Sequence, residues 1–276
     1  MVKAGYIALL VLWVFLVSVA VFFGVPLVWL VLSALDPNAS PEFRVPSTIS
    51  FENFVRLAEP VSGVPPYMWI INSTIISTLV ATIVTIASIL AAYVLTRYSF
   101  RGQGAMLTAF IVFRLIPPLI LALPIMILYR IWGMMNTIHG LVLAMSALIL
   151  PFTMMIAESF LKSIPVTYEE AAMVDGCTRL GAFLKITLPL AAPGIATIWL
   201  LAFVTSWSQF VLPLMIIRTP SLMPASVGLQ FFFGEYGRVE YGKLSAFSIL
   251  YSLPVLIVFL IVQKYLKKGI AGLVSR

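Results

Sequence analysis

Six apolar runs punctuate the chain, at residues 6–34, 68–96, 104–129, 138–160, 190–217 and 243–264. Each meets or exceeds the roughly 20 apolar residues that a helix needs to cross a bilayer. The pattern predicts an all-α membrane protein with six transmembrane helices in a single domain, 1–276. The first run exceeds the about 7–15 residues of a signal-peptide core and ends without a clean small-x-small site, so it is expected to be retained as a span. Pro117-Pro118 and Pro124 should break or kink the third run. Thr74, Thr78, Thr82 and Thr85 share one face of the second, either for helix packing or as a polar lining.

Composition agrees with lipid as the solvent. Of 276 residues, 62% are hydrophobic and 10% charged, and such a surface would not stay dispersed in water. Cys177 and His139 are the sole cysteine and histidine. That excludes an internal disulfide and a two-histidine metal site, and both are expected to be structural. The net charge of +7 reads as membrane orientation, with no nucleic acid as partner. If the N-terminus is cytoplasmic, the inner segments hold Lys3, Arg97, Arg101, Lys162, Arg179, Lys185, Lys264, Lys267, Lys268 and Arg276. The outer segments then hold only Arg44, Arg56, Arg130, Arg218, Arg238 and Lys243. The bias predicts that both termini are cytoplasmic.

The inner segment 161–189 is the most informative stretch. Thr167 followed by Glu170 has capping-box spacing and predicts a short helix from Tyr168 to Asp175, with Gly176 ending it in a left-handed turn. Pro189 suits the first turn of the next span. Ala171 and Ala172 give the short helix a small-residue face, and Glu169, Glu170 and Asp175 make it acidic. Physics alone leaves two readings open: a docking knob for a partner's arginines or an interfacial helix on lipid headgroups.

Glu170-Ala171-Ala172, Gly176, Ile186 and Leu188-Pro189 reproduce, with all their spacings, the signature loop of ABC-importer permeases, which this segment resembles. The likeness extends through Phe51-Glu52-Asn53-Phe54, Asn72-Ser73, Phe100-Arg101-Gly102, Val227-Gly228-Leu229 and Lys268–Gly272, which are similar to carbohydrate permeases of the maltose-importer type. The resemblance implies a MetI/MalG-like permease fold, multi-pass in the cell membrane, working by alternating access. It also implies that 161–189 docks in a cleft of a separate ATPase, with Glu169 and Glu170 meeting an ATPase arginine and Gly176 allowing the turn. The partners implied are a second permease subunit (the same chain or, more in keeping with the family, a different one), two ATPase subunits and an extracytoplasmic sugar-binding protein. No cofactor is expected on this chain; ATP and magnesium belong to the ATPase. The family's Trp-Asn-Glu-Phe is here Trp207-Ser208-Gln209-Phe210.

Other candidates follow from single residues. Gly237-Arg238-Val239-Glu240-Tyr241-Gly242-Lys243-Leu244 approaches a phosphate-binding loop but has Leu244 where a hydroxyl should hold magnesium, so no nucleotide site is expected. Gly234, Glu235, Tyr236, Gly237 and Arg238 form either an ordinary interfacial loop or, by the resemblance, an element that docks the binding protein. Arg114 lies within the third run, where a charge needs a partner or a cavity; it either lines the pathway or is paired, for example with Glu158. Trp207, Ser208 and Gln209 could offer a stacking ring and polar groups to a sugar. A secondary transporter would need inverted repeats and a buried acid, and the chain offers only Glu158 near a span end and no repeat. A membrane enzyme would need clustered reactive side chains that the chain lacks. A peptide or amino-acid permease fits the carbohydrate-like segments less well.

Overall fold

The computed structural model describes residues 2–233 and 239–274, with side chains for 9, 11–233 and 239–264. It is mostly helical, 78%, and no strand occurs among the described residues. Four helices are long and apolar enough to cross a membrane: α1 (Val2–Leu35), α2 (Pro66–Arg97), α5 (Ile138–Lys162) and α10 (Tyr241–Val274). Two further candidate spans are bent pairs. Helices α3 (Gln103–Leu115) and α4 (Pro118–Ile131) meet at 100°, and α7 (Arg179–Leu190) and α8 (Ala192–Trp207) at 72°. Between α5 and α7 lies α6 (Thr167–Val174), and α9 (Val211–Ile216) follows α8.

Two of the predicted spans are bent, the third where its proline pair leads one to expect it. The third run is not one rod. Ile116 is extended and Pro117 and Pro118 follow it, so the helix stops and restarts in a new direction. Pro124 is instead absorbed inside α4. The fifth run, 190–217, holds a helix only from Ala192 to Trp207; residues 208–210 interrupt it before α9.

The chain forms two compact units, Met1–Tyr67 with Leu229–Ser252, and Met68–Gly228 with Leu253–Arg276. In the first, the apolar window of α1 is not buried at all, as befits a helix solvated by lipid. Buried Asn53 donates to the carbonyls of Ala34 and Asp36 at 3.1 and 2.9 Å, so it closes the C-terminal end of α1. Lys243, 6% exposed, is held by Glu59 at 3.1 Å and Glu240 at 3.3 Å, and Arg56 joins both acids. The lysine of the phosphate-loop-like stretch is thus a structural cation. Its hydrogen bond to Glu59 comes first among the causes that hold that carboxyl below its usual range.

In the second unit α5 is the central helix, packing on α3, α4, α8 and α9. Close approach relies on small residues. A Cβ on Gly194 of α8 would stand 2.6 Å from the Phe160 ring of α5. Gly194→Leu is therefore expected to lower the yield of folded protein in detergent several-fold, read by size-exclusion chromatography. On α2 the packing stripe is Ser73, Ser77, Ala81, Ser88 and Ala92, all buried. Ser88 and Thr153 share a hydrogen bond of 2.8 Å. Thr74, Thr78 and Thr82 turn outward and only Thr85 is buried, so packing uses the face beside the threonine stripe.

Candidate functional site

Helix α6 and its anchor form the best-built polar site in the second unit. The helix begins one residue earlier than the capping pattern predicts. Val166 is its N-cap and makes no side-chain cap, so Thr167 is already helical and the Thr167–Glu170 box does not form. The other end follows the sequence. Gly176 has φ +91°, its N–H donates to the Met173 carbonyl, and the Cys177 N–H donates to the Ala172 carbonyl. This crossed pair closes the helix as a Schellman turn. Thr178 then caps α7 by accepting from the Gly181 N–H at 3.1 Å.

Glu169 is 3% exposed and faces inward. It accepts from Arg97 Nε at 2.8 Å, Tyr93 OH at 2.9 Å and Thr187 Oγ1 at 2.6 Å. The Arg97 side chain is 4% exposed and also donates to the Ile164 carbonyl at 3.1 Å. One carboxylate therefore ties α6 to the last turns of α2 and to α7. Burial raises the Glu169 pKa, and the hydrogen bonds from Thr187, Arg97 and Tyr93 outweigh it, leaving the carboxyl below its ordinary 4.5. Beside this knot, Ile89, Ala92, Ala157, Leu161, Ile164, Phe183, Ala191 and Ile198 form an apolar core, with Tyr93 and Leu188 packed against it. Thr187 closes a five-residue π-helical stretch, Phe183–Thr187. Pro189, two residues on, lacks the N–H that would continue regular bonding, and such wide turns recur at functional positions.

The arginine that Glu169 meets in this structure is internal, Arg97, whereas the resemblance implied one on an ATPase. Glu170, Ala171, Asp175 and Gly176 stay exposed, and Ala172 and Ile186 are half-buried. Val174 at the tip is 87% exposed and Leu180 67%. Arg97, Tyr93 and Thr187 carry no sequence signal as a set. Only the four-residue spacing of Tyr93 and Arg97 puts two of them on one helix face.

A second polar site lies where α3 breaks from α4. A cavity of about 260 Å³ is lined by Arg114, Pro118, Phe152, Thr205 and Gln209 among others. The Arg114 guanidinium sits 3.6 Å above the Phe152 ring. Pairing with Glu158 does not occur, since that carboxylate holds Lys162 at 2.8 Å. Of the residues considered for the pathway, Arg114 and Gln209 share this cavity. Trp207 does not line it. It is 4% exposed and stacks in the ladder Trp199–Phe203–Trp207, with ring spacings of 5.3 and 5.6 Å. Ser208 turns its hydroxyl back to the Thr205 carbonyl at 3.2 Å. Gly234, Glu235, Tyr236, Gly237 and Arg238, the candidate docking loop, lie outside the described residues.

Residues 83–272, which include the knot, α6 and the Arg114 cavity, match the family described as binding-protein-dependent transport system inner membrane component. The chain belongs to this family. The permease is 32% identical over 273 residues to the probable ABC transporter permease protein YurM of Bacillus subtilis, covering 98% of this chain and 89% of that one. It is 32% identical over 250 residues to the sulfoquinovosyl glycerol transport system permease protein SmoH of Agrobacterium fabrum, covering 90% and 87%. Its fold matches the crystal structure of a bacterial ABC transporter involved in the import of the acidic polysaccharide alginate, with TM-score 0.81 at 21% identity over 95% of this chain and 98% of that one. The permease is accordingly a multi-pass membrane protein with the fold of ABC-importer permeases.

Proposed function

We propose that the permease forms half of the translocation pathway of a sugar importer and takes its power from a separate ATPase through α6. The observation that carries this reading is the knot. A short helix with an exposed outer face is fixed by a buried carboxylate to the end of α2 and to α7. Force applied to Glu170, Ala171, Val174 and Asp175 passes through Glu169 to Arg97 and Thr187. It is then borne by two membrane helices instead of being lost in a flexible loop. A bundle with two packed arrangements converts such a push into alternating access. In this reading the α6 side and both termini are cytoplasmic, and ATP and magnesium are held by the ATPase. A second permease subunit completes the pore, and a binding protein delivers sugar from the opposite side. The transport that relatives are named for, sulfoquinovosyl glycerol among them, supports sugars as cargo. A self-powered carrier has less support, since Glu158 is neutralised by Lys162.

Glu170→Ala tests the outer face. The expected result is normal membrane insertion with ATP-driven uptake in proteoliposomes reduced tenfold or more, while basal ATP turnover persists. Unchanged uptake would remove α6 as the docking element. Gly176→Ala tests the turn. An L-residue in a left-handed conformation costs about 1–2 kcal/mol, so uptake should fall more modestly than with Glu170→Ala.

A further inference from the structure

We propose that the cargo of this permease carries negative charge, and that Arg114 together with the Arg130/Arg218 recess forms its binding track; this rests on the sugar-importer reading above. The two observations are independent. At the N-terminal end of α4, Arg114 presents a guanidinium to the 260 Å³ cavity with one of its faces covered by Phe152. Its edge N–H groups donate to no protein acceptor, and no carboxylate lies within ion-pair distance of it, among the described residues. At the other end of α4, Arg130 and Arg218 line a recess of about 420 Å³ with Met126 and Met135. Neither of these arginines is paired with a carboxylate among the described residues.

A cation inside a span is costly and is kept where it faces a partner or a path. Here two separate recesses, joined by one 14-residue helix of roughly 20 Å, both expose guanidinium groups that no carboxylate pairs among the described residues. The planar fork of arginine suits a carboxylate, sulfonate or phosphate, which can bind edge-on while the aromatic ring keeps the opposite face dry. Gln209 and Thr205 add amide and hydroxyl groups for sugar hydroxyls in the same cavity. Its volume of about 260 Å³, just below the roughly 300–1,000 Å³ of ligand sites, admits one sugar ring instead of a chain. A neutral sugar would gain no such charge-assisted pairing with the exposed Arg114.

The test uses the permease with its co-purifying subunits, without binding protein, in nanodiscs of phosphatidylcholine. Binding of glucuronate and of glucose is measured by calorimetry. Glucuronate should bind at least tenfold more tightly, and the contrast should shrink as salt rises. Arg114→Gln should erase the contrast while Arg114→Lys retains part of it. Replacing Arg130 and Arg218 by glutamine together should slow glucuronate association. Equal binding of the two sugars, binding of neither, or a contrast unchanged in Arg114→Gln would overturn the proposal. Loss of glucuronate binding when phosphatidylglycerol replaces phosphatidylcholine would also overturn it, by assigning the cations to lipid headgroups. The importer reading is judged separately, by whether the complete complex takes up any sugar when given ATP.

Discussion

Glu169→Ala is expected to abolish ATP-driven uptake and to destabilise the permease, because removing one partner of a buried ion pair strands the other at a cost of about 3–5 kcal/mol. Arg97 would then keep only the Ile164 carbonyl in a site where its side chain is 4% exposed. Arg97→Ala should be about as harmful, leaving Glu169 with Tyr93 and Thr187 alone. The double replacement Arg97→Met with Glu169→Gln separates stability from coupling. An apolar or neutral pair is often tolerated, so folding should recover substantially, while uptake stays low because the tie between α6 and α2 is gone. Thermal unfolding in detergent and uptake in proteoliposomes supply the two readouts. Recovery of both together would mean that the pair serves stability alone. The same carboxylate sets a pH limit. Its folded pKa is depressed, so its contribution is fully present above the unfolded value near 4.5 and is lost as pH falls through the lower folded value.

Trp69→Ala should destabilise the second unit by about 3–5 kcal/mol, the usual cost of emptying a large core aromatic. Trp69 is 0% exposed, donates to the Pro220 carbonyl at 2.9 Å and lies against Gly228, where a Cβ would stand 2.4 Å from the indole. One turn on, Asn72 donates to the carbonyls of Ser221 and Met223, and Ser73 accepts from the Ala225 N–H. These side chains fasten 219–228 along the start of α2. Limited proteolysis should therefore cut the variant within 217–228 while sparing α5 and α8. Gly228→Val should reproduce the phenotype from the other side of the contact, and a wild-type digestion pattern for both would refute this account of the clamp.

Helix content was legible in the sequence because a spanning segment has to be apolar over its whole length, a signal that survives without any tertiary knowledge. The Pro117-Pro118 break was legible for the same local reason. The interruption after Trp207 was less plain, since Ser208-Gln209-Phe210 contains no proline or glycine and the local signal is Pro213 in the first turn of α9, which cannot bond back to the Gln209 carbonyl. At the candidate site, Gly176 announced its own turn because few residues but glycine adopt positive φ readily. Glu169 and Glu170 are adjacent and chemically alike, so nothing local tells which one is buried. That choice is made by Arg97 and Thr187, which lie 72 and 18 residues away in the chain. Trp207 shows the value of a longer pattern. An aromatic beside polar residues suggests a sugar platform, but four-residue spacing to Phe203 and Trp199 makes it a rung of an internal stack.

In this mechanism a motor subunit grips α6. Val174, 87% exposed at the tip of that helix, offers the most direct probe. With Cys177 replaced by serine, a cysteine at position 174 is crosslinked by a short bismaleimide in membranes that contain the whole importer. The expected result is a crosslinked band containing a nucleotide-binding ATPase, and loss of uptake once the link forms. A permease that crosslinks to no ATPase, yet still accumulates sugar on ATP addition, would contradict it.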